Sequence, residues 1–134
     1  MYKETITYID YNDKERVEDF YFDLSQAELI EIEMTTPGGF TEMLNRAIKA
    51  QDHPTLFKSF KDFVFKSYGE KSADGREFVK SDNITARFIQ TRAYSILMTR
   101  LCTDAEYASK FINGIVGSAA PSTPNTIIPT QTVN

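Results

Sequence analysis

Few side chains in this sequence are of a kind that does chemistry, and their spacing does not assemble them. There is one histidine, His53, and one cysteine, Cys102. Nucleophilic catalysis needs a base within hydrogen-bond reach of the nucleophile and a group that orients that base. His53 precedes Pro54 at an expected helix start, a solvent-facing kind of position, so a surface or capping role is expected. Cys102 follows Leu101 at the end of an apolar helical run, and a small buried or half-buried hydrophobe is expected there. A single cysteine excludes an intramolecular disulfide and a cysteine-built zinc site. Asp10, Asn12 and Asp13 resemble part of a calcium loop, but the glycine at its sharp turn and the terminal bidentate glutamate are missing. Thr36-Pro37-Gly38-Gly39 lacks the Lys-Ser/Thr pair of a phosphate loop and follows a helix rather than a strand. Arg87, Arg92 and Arg100 share one expected helix, yet at about 100° per residue they do not form a stripe. The expectation is a chain with no catalytic set, no metal and no cofactor.

The elements that would position any site are those of a modest single domain. At 134 residues, a chain hides roughly two-thirds of its unfolded surface. Ten Phe and seven Tyr, with no Trp, supply the bulk of the core. No apolar run approaches the roughly 20 residues that span a bilayer, and the polar, alternating N-terminus is no signal peptide. Cytoplasmic location without membrane contact is expected. The net charge of −4 is uneven: residues 1–34 hold ten acidic and three basic side chains, leaving the remainder at +3. With a pI near 5.0 and no basic patch, nucleic-acid binding is not expected.

Residues 2–9 and 16–23 alternate in the manner of strands, joined by Asp10-Tyr11-Asn12-Asp13-Lys14, whose Asn and Asp suit a turn. Together they predict a β-hairpin over 2–24. Ser25-Gln26-Ala27-Glu28 is a capping box that opens a first helix. Leu29 and Ile32 form its inward face, with Ala27 and Met34 as further candidates. Pro37-Gly38-Gly39 ends it. A second helix is expected over 40–51. A third, capped by Asp52, is expected over 53–68, with Leu56, Phe57, Phe60, Phe63, Val64 and Tyr68 as its apolar stripe and Gly69 as a left-handed stop. Residues 70–81 read as a loop. A fourth helix is expected over 82–102, and a second capping box at Thr103–Glu106 starts a fifth that ends near Gly114 or Gly117. From Ser118 to Asn134 there is no charge and no period, so a flexible tail is expected. The fold class is α+β: a hairpin followed by a bundle of four to five helices in one domain, 1–117.

Side chains free for a partner are sought where the pattern breaks. Phe65 falls among lysines on the flank of the third helix. Phe78 stands on a polar loop and either plugs that loop onto the core or meets a partner. Tyr68 precedes the same loop and Arg76 lies within it, and Tyr21 lies on the hairpin, whose open edge is also available.

Across residues 2–116 the chain resembles the tail assembly chaperones of long, non-contractile-tailed bacteriophages, particularly those of Gram-positive hosts. The likeness is carried by Phe20-Tyr21-Phe22-Asp23-Leu24-Ser25, Ala27-Glu28-Leu29, Glu33 and Thr36-Pro37-Gly38-Gly39. It continues through Tyr68-Gly69-Glu70-Lys71-Ser72, Asp74-Gly75-Arg76, Phe78, Lys80-Ser81, Phe88, Gln90-Thr91 and Ala93-Tyr94-Ser95. It ends with Asp104 to Ala108 and Phe111-Ile112-Asn113-Gly114-Ile115. The resemblance implies a binding protein that coats the largely helical tape-measure protein, keeps it soluble, recruits tail tube subunits and is absent from the finished virion. It implies, in some members, a longer frameshifted form, and the unpaired hairpin edge makes self-association an expectation. The alternative is a structural virion protein of the tail or connector.

Overall fold

The computed structural model describes residues 1–119. Its class is α+β. Two antiparallel strands, β1 (Tyr2–Ile9) and β2 (Glu15–Phe22), form the expected hairpin. The turn closes through Asp10, whose Oδ1 accepts from the backbone N–H groups of Asn12 (2.8 Å) and Lys14 (3.0 Å). Asp13 supplies the left-handed residue at φ 59°, a conformation that Asp tolerates. Along the strands Ile6, Tyr8, Phe20 and Phe22 are buried while Lys3, Thr5, Thr7 and Val17 are exposed. Alternation of this kind marks a sheet with one covered face and one wet face.

Six helices follow among the described residues, against the four to five expected. They are α1 (Gln26–Thr35), α2 (Phe40–Ala50), α3 (His53–Ser67), α4 (Asp82–Ile89), α5 (Arg92–Thr103) and α6 (Ala105–Ala119). The extra helix arises because the predicted fourth one breaks at Gln90-Thr91. Thr91 adopts an extended conformation and its side chain caps α5 by accepting from the Tyr94 N–H at 3.3 Å. The apolar spacing alone does not reveal the break, because Ile89 to Ala93 keeps a helical step of four across it.

Two further strands occupy the segment expected to be the end of a helix and a loop. They are β3 (Tyr68–Lys71) and β4 (Phe78–Val79), and they extend the hairpin into an antiparallel sheet of order β1-β2-β3-β4. Gly69 is therefore not a left-handed helix stop. It pairs with Tyr21, and a Cβ there would stand 2.7 Å from the Phe78 ring and from the Val79 carbonyl. Close packing across strands, and not backbone freedom, explains this glycine.

Three smaller expectations are also corrected. Asp104, not Thr103, caps α6, accepting from the Tyr107 N–H at 3.0 Å. Gly114 and Gly117 lie inside α6, which also contains Ser118 and Ala119. The rest of the expected tail, 120–134, is outside the described residues. Finally, Ala27, Met34 and Phe57 are exposed rather than inward-facing.

The core is built from aromatic rings placed by separate elements. Phe22 of β2 meets Phe111 of α6 at 5.1 Å, Tyr68 at 5.6 Å and Phe88 of α4 at 6.2 Å between centroids. Tyr68 and Phe88 stack at 4.0 Å with an 11° interplanar angle. Around these rings Leu97, Leu101 and Ile115 are fully buried or nearly so. Burial of each such side chain contributes on the order of 1.5–3 kcal/mol.

Candidate interaction surfaces

The sequence-derived candidates divide among four places. Tyr21, Gly69, Lys71 and Phe78 share the outer face of the sheet, because Tyr21 pairs with Gly69 and Lys71 pairs with Phe78. Side chains two apart on a strand point the same way. The Phe78 ring rests on Gly69, and the Lys71 ammonium lies 5.9 Å from the Tyr21 ring centroid. Tyr21 and Phe78 are both half-buried. Phe78 thus fastens β4 over β3 while keeping part of its ring on the surface.

Arg76 stands apart at the β3–β4 turn, its side chain 86% exposed and 3.9 Å from Asp74. Asp74 is held by Ser72 Oγ, which donates to it at 2.7 Å, and by the Arg76 N–H at 3.1 Å. These bonds lower the carboxyl pKa below its ordinary value. Phe65 is on α3. It is half-buried, 6.3 Å from the Tyr94 ring, with the Lys61 ammonium 5.7 Å from its centroid. Tyr68 points the other way from Gly69 and is only 7% exposed. Its ring belongs to the core, and burial pushes its phenol pKa up to about 12.

The structure brings His53 and Cys102 to one cavity of about 170 Å³. From sequence the pairing carries almost no weight, because Cys102 reads as an inert apolar residue. No hydrogen bond joins them, and burial raises the Cys102 pKa. A raised pKa keeps the thiol protonated, which is opposite to what activates a cysteine. Among the described residues there is no group of three or more His, Cys, Asp or Glu placed to hold a metal ion.

A groove between α1 and α3 was not anticipated. Its floor is Ile32, Phe40, Met43 and Phe63, and its rim includes Thr36, Lys58, Asp62 and Lys66; its volume is about 390 Å³. It meets a second cavity of about 200 Å³ that shares Ile32 and Lys66 and adds Glu28, Glu31 and Lys80. Two local devices hold its walls. Glu33 on α1 accepts hydrogen bonds from the Phe40 N–H and from the Thr41 N–H (3.3 Å), so it caps α2 across the Pro37-Gly38-Gly39 turn. Gly38 and Gly39 make that turn possible with φ of 77° and 91°, values that few other residues adopt. The signal in the sequence was an acidic residue shortly before Gly-Gly, and only the fold shows where its carboxylate reaches.

The second device is Lys80. Its Nζ donates to Glu28 Oε1 (2.7 Å), to the Asp23 carbonyl (2.9 Å) and to the Lys66 carbonyl (3.1 Å). One side chain from the end of β4 therefore ties the start of α1 to the end of α3.

Two more exposed features complete the surface. On α1, Ile30 is 51% and Met34 80% exposed. They are one turn apart and roughly opposite the buried Ile32, so α1 is apolar on both sides. On the sheet, no described strand pairs with the outer edge of β1.

Compared with known proteins, the chain matches a family described as phage tail assembly chaperone over residues 1–120. No curated protein and no solved structure matches. Among the described residues no helix is long and apolar enough to cross a membrane.

Proposed function

We propose, for a chain that belongs to the phage tail assembly chaperone family, that it binds the phage tape-measure protein as its client. In this reading it lays client helices in the α1–α3 groove and keeps them soluble until tail tube subunits assemble around them. The observation that carries the proposal is the groove itself: an apolar floor of Ile32, Phe40, Met43 and Phe63 beside a charged α3 wall of Lys58, Asp62 and Lys66. That is the form in which an amphipathic helix is bound, with its apolar side in the cleft and its polar side against the rim. The exposed Ile30 and Met34 enlarge the apolar area on the neighbouring side of α1.

Residues 1–117 act as one domain in this reading. Tyr21, Phe78, Arg76 and Phe65 are secondary contact points, and Tyr68 supports them from the core. The open edge of β1 is the proposed means of self-association, since an unpaired edge is a template for another strand. The chaperone acts in the host cytoplasm and leaves before the virion is complete.

The test is co-expression with the tape-measure protein of the same genome, followed by affinity pull-down. The wild-type chain should bring an otherwise insoluble client into the soluble fraction. Lys58→Trp, which places a large ring over the groove, should abolish that rescue while the variant itself stays folded. A client that remains insoluble with the wild-type chain removes the proposal. Mass spectrometry of purified virions separates the remaining alternative, because a structural component would be present there in stoichiometric amount.

A further inference from the structure

We infer that a second docking site, separate from the groove, lies where the hairpin turn meets the α4–α5 break, and that it takes an acidic peptide segment of a protein partner. The site is a cavity of about 390 Å³ walled by Tyr8, Asp10, Tyr11, Arg87, Thr91 and Arg92. That volume is within the usual range for a ligand pocket, about 300–1,000 Å³, and fits one or two side chains of a partner.

The charge in this cavity is unbalanced. Asp10 is its one carboxylate, and that carboxylate is fully engaged. Its Oδ2 accepts from Arg16 Nε at 2.6 Å while Oδ1 holds the turn. Arg87 and Arg92 have no such partner: among the described residues neither guanidinium makes a hydrogen bond or meets a carboxylate within ion-pair distance. Two uncompensated cations therefore line one cavity of a chain whose net charge is −4.

One of the two is already oriented. The Arg92 guanidinium lies 4.6 Å from the centroid of the Tyr11 ring, and Tyr11 is 69% exposed. Stacking on an aromatic face fixes the plane of the guanidinium while leaving its N–H fork free for a carboxylate. Tyr8 adds an apolar wall, its hydroxyl held by Glu18 at 2.5 Å.

The α4–α5 break creates the arrangement. In one continuous helix Arg87 and Arg92 would lie well apart around the axis. The turn at Gln90-Thr91 reorients α5 so that both side chains border the same space.

The ligand chemistry follows from this lining. Guanidinium groups select carboxylate or phosphate. A polyanion would meet the acidic hairpin at Asp13, Glu15 and Glu18 beside the cavity, whereas a peptide brings one or two carboxylates with an apolar neighbour for the tyrosine walls. The occupant is therefore a short segment with Asp or Glu next to a large apolar side chain. This inference does not rest on client binding in the groove.

The experiment is a selection from a random dodecapeptide display library on the immobilised full chain. It is run in parallel on the double variant Arg87→Gln/Arg92→Gln and on Lys58→Trp. Both arginines are exposed, so the double variant keeps the fold, which a matched melting temperature verifies. The wild type should enrich peptides with Asp or Glu beside Phe, Leu or Ile. The leading peptide should bind about tenfold or more weaker to the double variant, and equally weaker when its acids are changed to amides. Lys58→Trp should retain this binding even where it loses the client. Absence of acidic enrichment overturns the proposal, as does equal enrichment on the double variant. Displacement of the leading peptide by a single-stranded oligonucleotide or inorganic phosphate at matched ionic strength would overturn the peptide assignment.

Discussion

Lys80 Nζ sits 2.7 Å from Glu28 Oε1, and Glu28 is at the same time the acidic member of the α1 capping box. Its Oε1 also accepts from the Ser25 N–H at 2.8 Å, while the Ser25 hydroxyl accepts from the Glu28 N–H at 3.1 Å. A local helix-start motif and a contact from the far end of the sheet thus converge on one oxygen. The side chain of Lys80 is 23% exposed, and it is the donor for the Asp23 and Lys66 carbonyls as well. Lys80→Met, which keeps the stem and removes the ammonium, should cost about 1–3 kcal/mol in urea unfolding, because carbonyls partly withdrawn from water lose their donor. An unchanged midpoint would show that water replaces Lys80 without loss.

The same contact predicts an acid sensitivity. Burial works against ionisation of Glu28, but the hydrogen bonds from Lys80 and Ser25 outweigh it and hold the pKa below the ordinary value. A carboxyl depressed in the folded state adds stability that is present above its unfolded pKa, about 4.3, and is lost as the pH falls through the folded value. Melting temperatures should therefore fall more steeply with acid in the wild type than in Glu28→Gln. Parallel profiles for the two proteins would assign the acid loss to other groups.

At the alkaline end the tyrosines dominate. Burial, with help from the Glu18 hydrogen bond, pushes Tyr8 up to about 12, and burial does the same for Tyr68. A phenol raised above its unfolded value of about 10 contributes fully below that pH and loses its contribution as the pH climbs toward the folded value. Tyr68 makes no hydrogen bond through its hydroxyl among the described residues. Tyr68→Phe should hence change neutral-pH stability by less than about 1 kcal/mol and soften the alkaline decline. Tyr68→Ala should instead cost about 3–5 kcal/mol, as loss of a buried ring does.

Gly69→Ala is expected to be far more damaging than its size suggests. The new methyl would meet the Val79 carbonyl at 2.7 Å, an atom of backbone that cannot rotate aside, and the Phe78 ring at the same distance. Relief requires β4 to move off β3, at a cost of about 1–3 kcal/mol. Amide exchange should show faster opening at Phe78 and Val79 with β1–β2 protection retained. Uniform protection across the sheet would mean that the strands absorb the methyl.

Glu33→Ala removes the cap on α2 and should lower stability by about 0.5–2 kcal/mol, the range for loss of an N-terminal capping side chain. Because Glu33 sits on α1 and its acceptor bonds reach Phe40 and Thr41, the same change should loosen the groove and weaken client rescue. Stability loss with intact rescue would separate the cap from the groove.

The sequence by itself determined whatever depends on near neighbours. The hairpin, its Asp-rich turn, the Ser25–Glu28 capping box, the Asp52 cap and the stripe of α3 are all set by residues within a turn or two of each other. The family likeness was also legible, since it needs only the order of residues. The tertiary structure decided whatever depends on distant partners. β3 and β4 are too short to show a period, and they exist because Tyr68 and Gly69 pair with Phe22 and Tyr21. The exposure of Met34 could not be told from the burial of Ile32, because both suit a helix and only packing chooses the side. The groove and the reach of Lys80 join elements separated in the chain, while the reach of Glu33 and the shared cavity of Arg87 and Arg92 depend on the angle at which consecutive helices meet. Local propensity carries no information about such distances, which the closing of the aromatic core around Phe22, Phe88 and Phe111 sets.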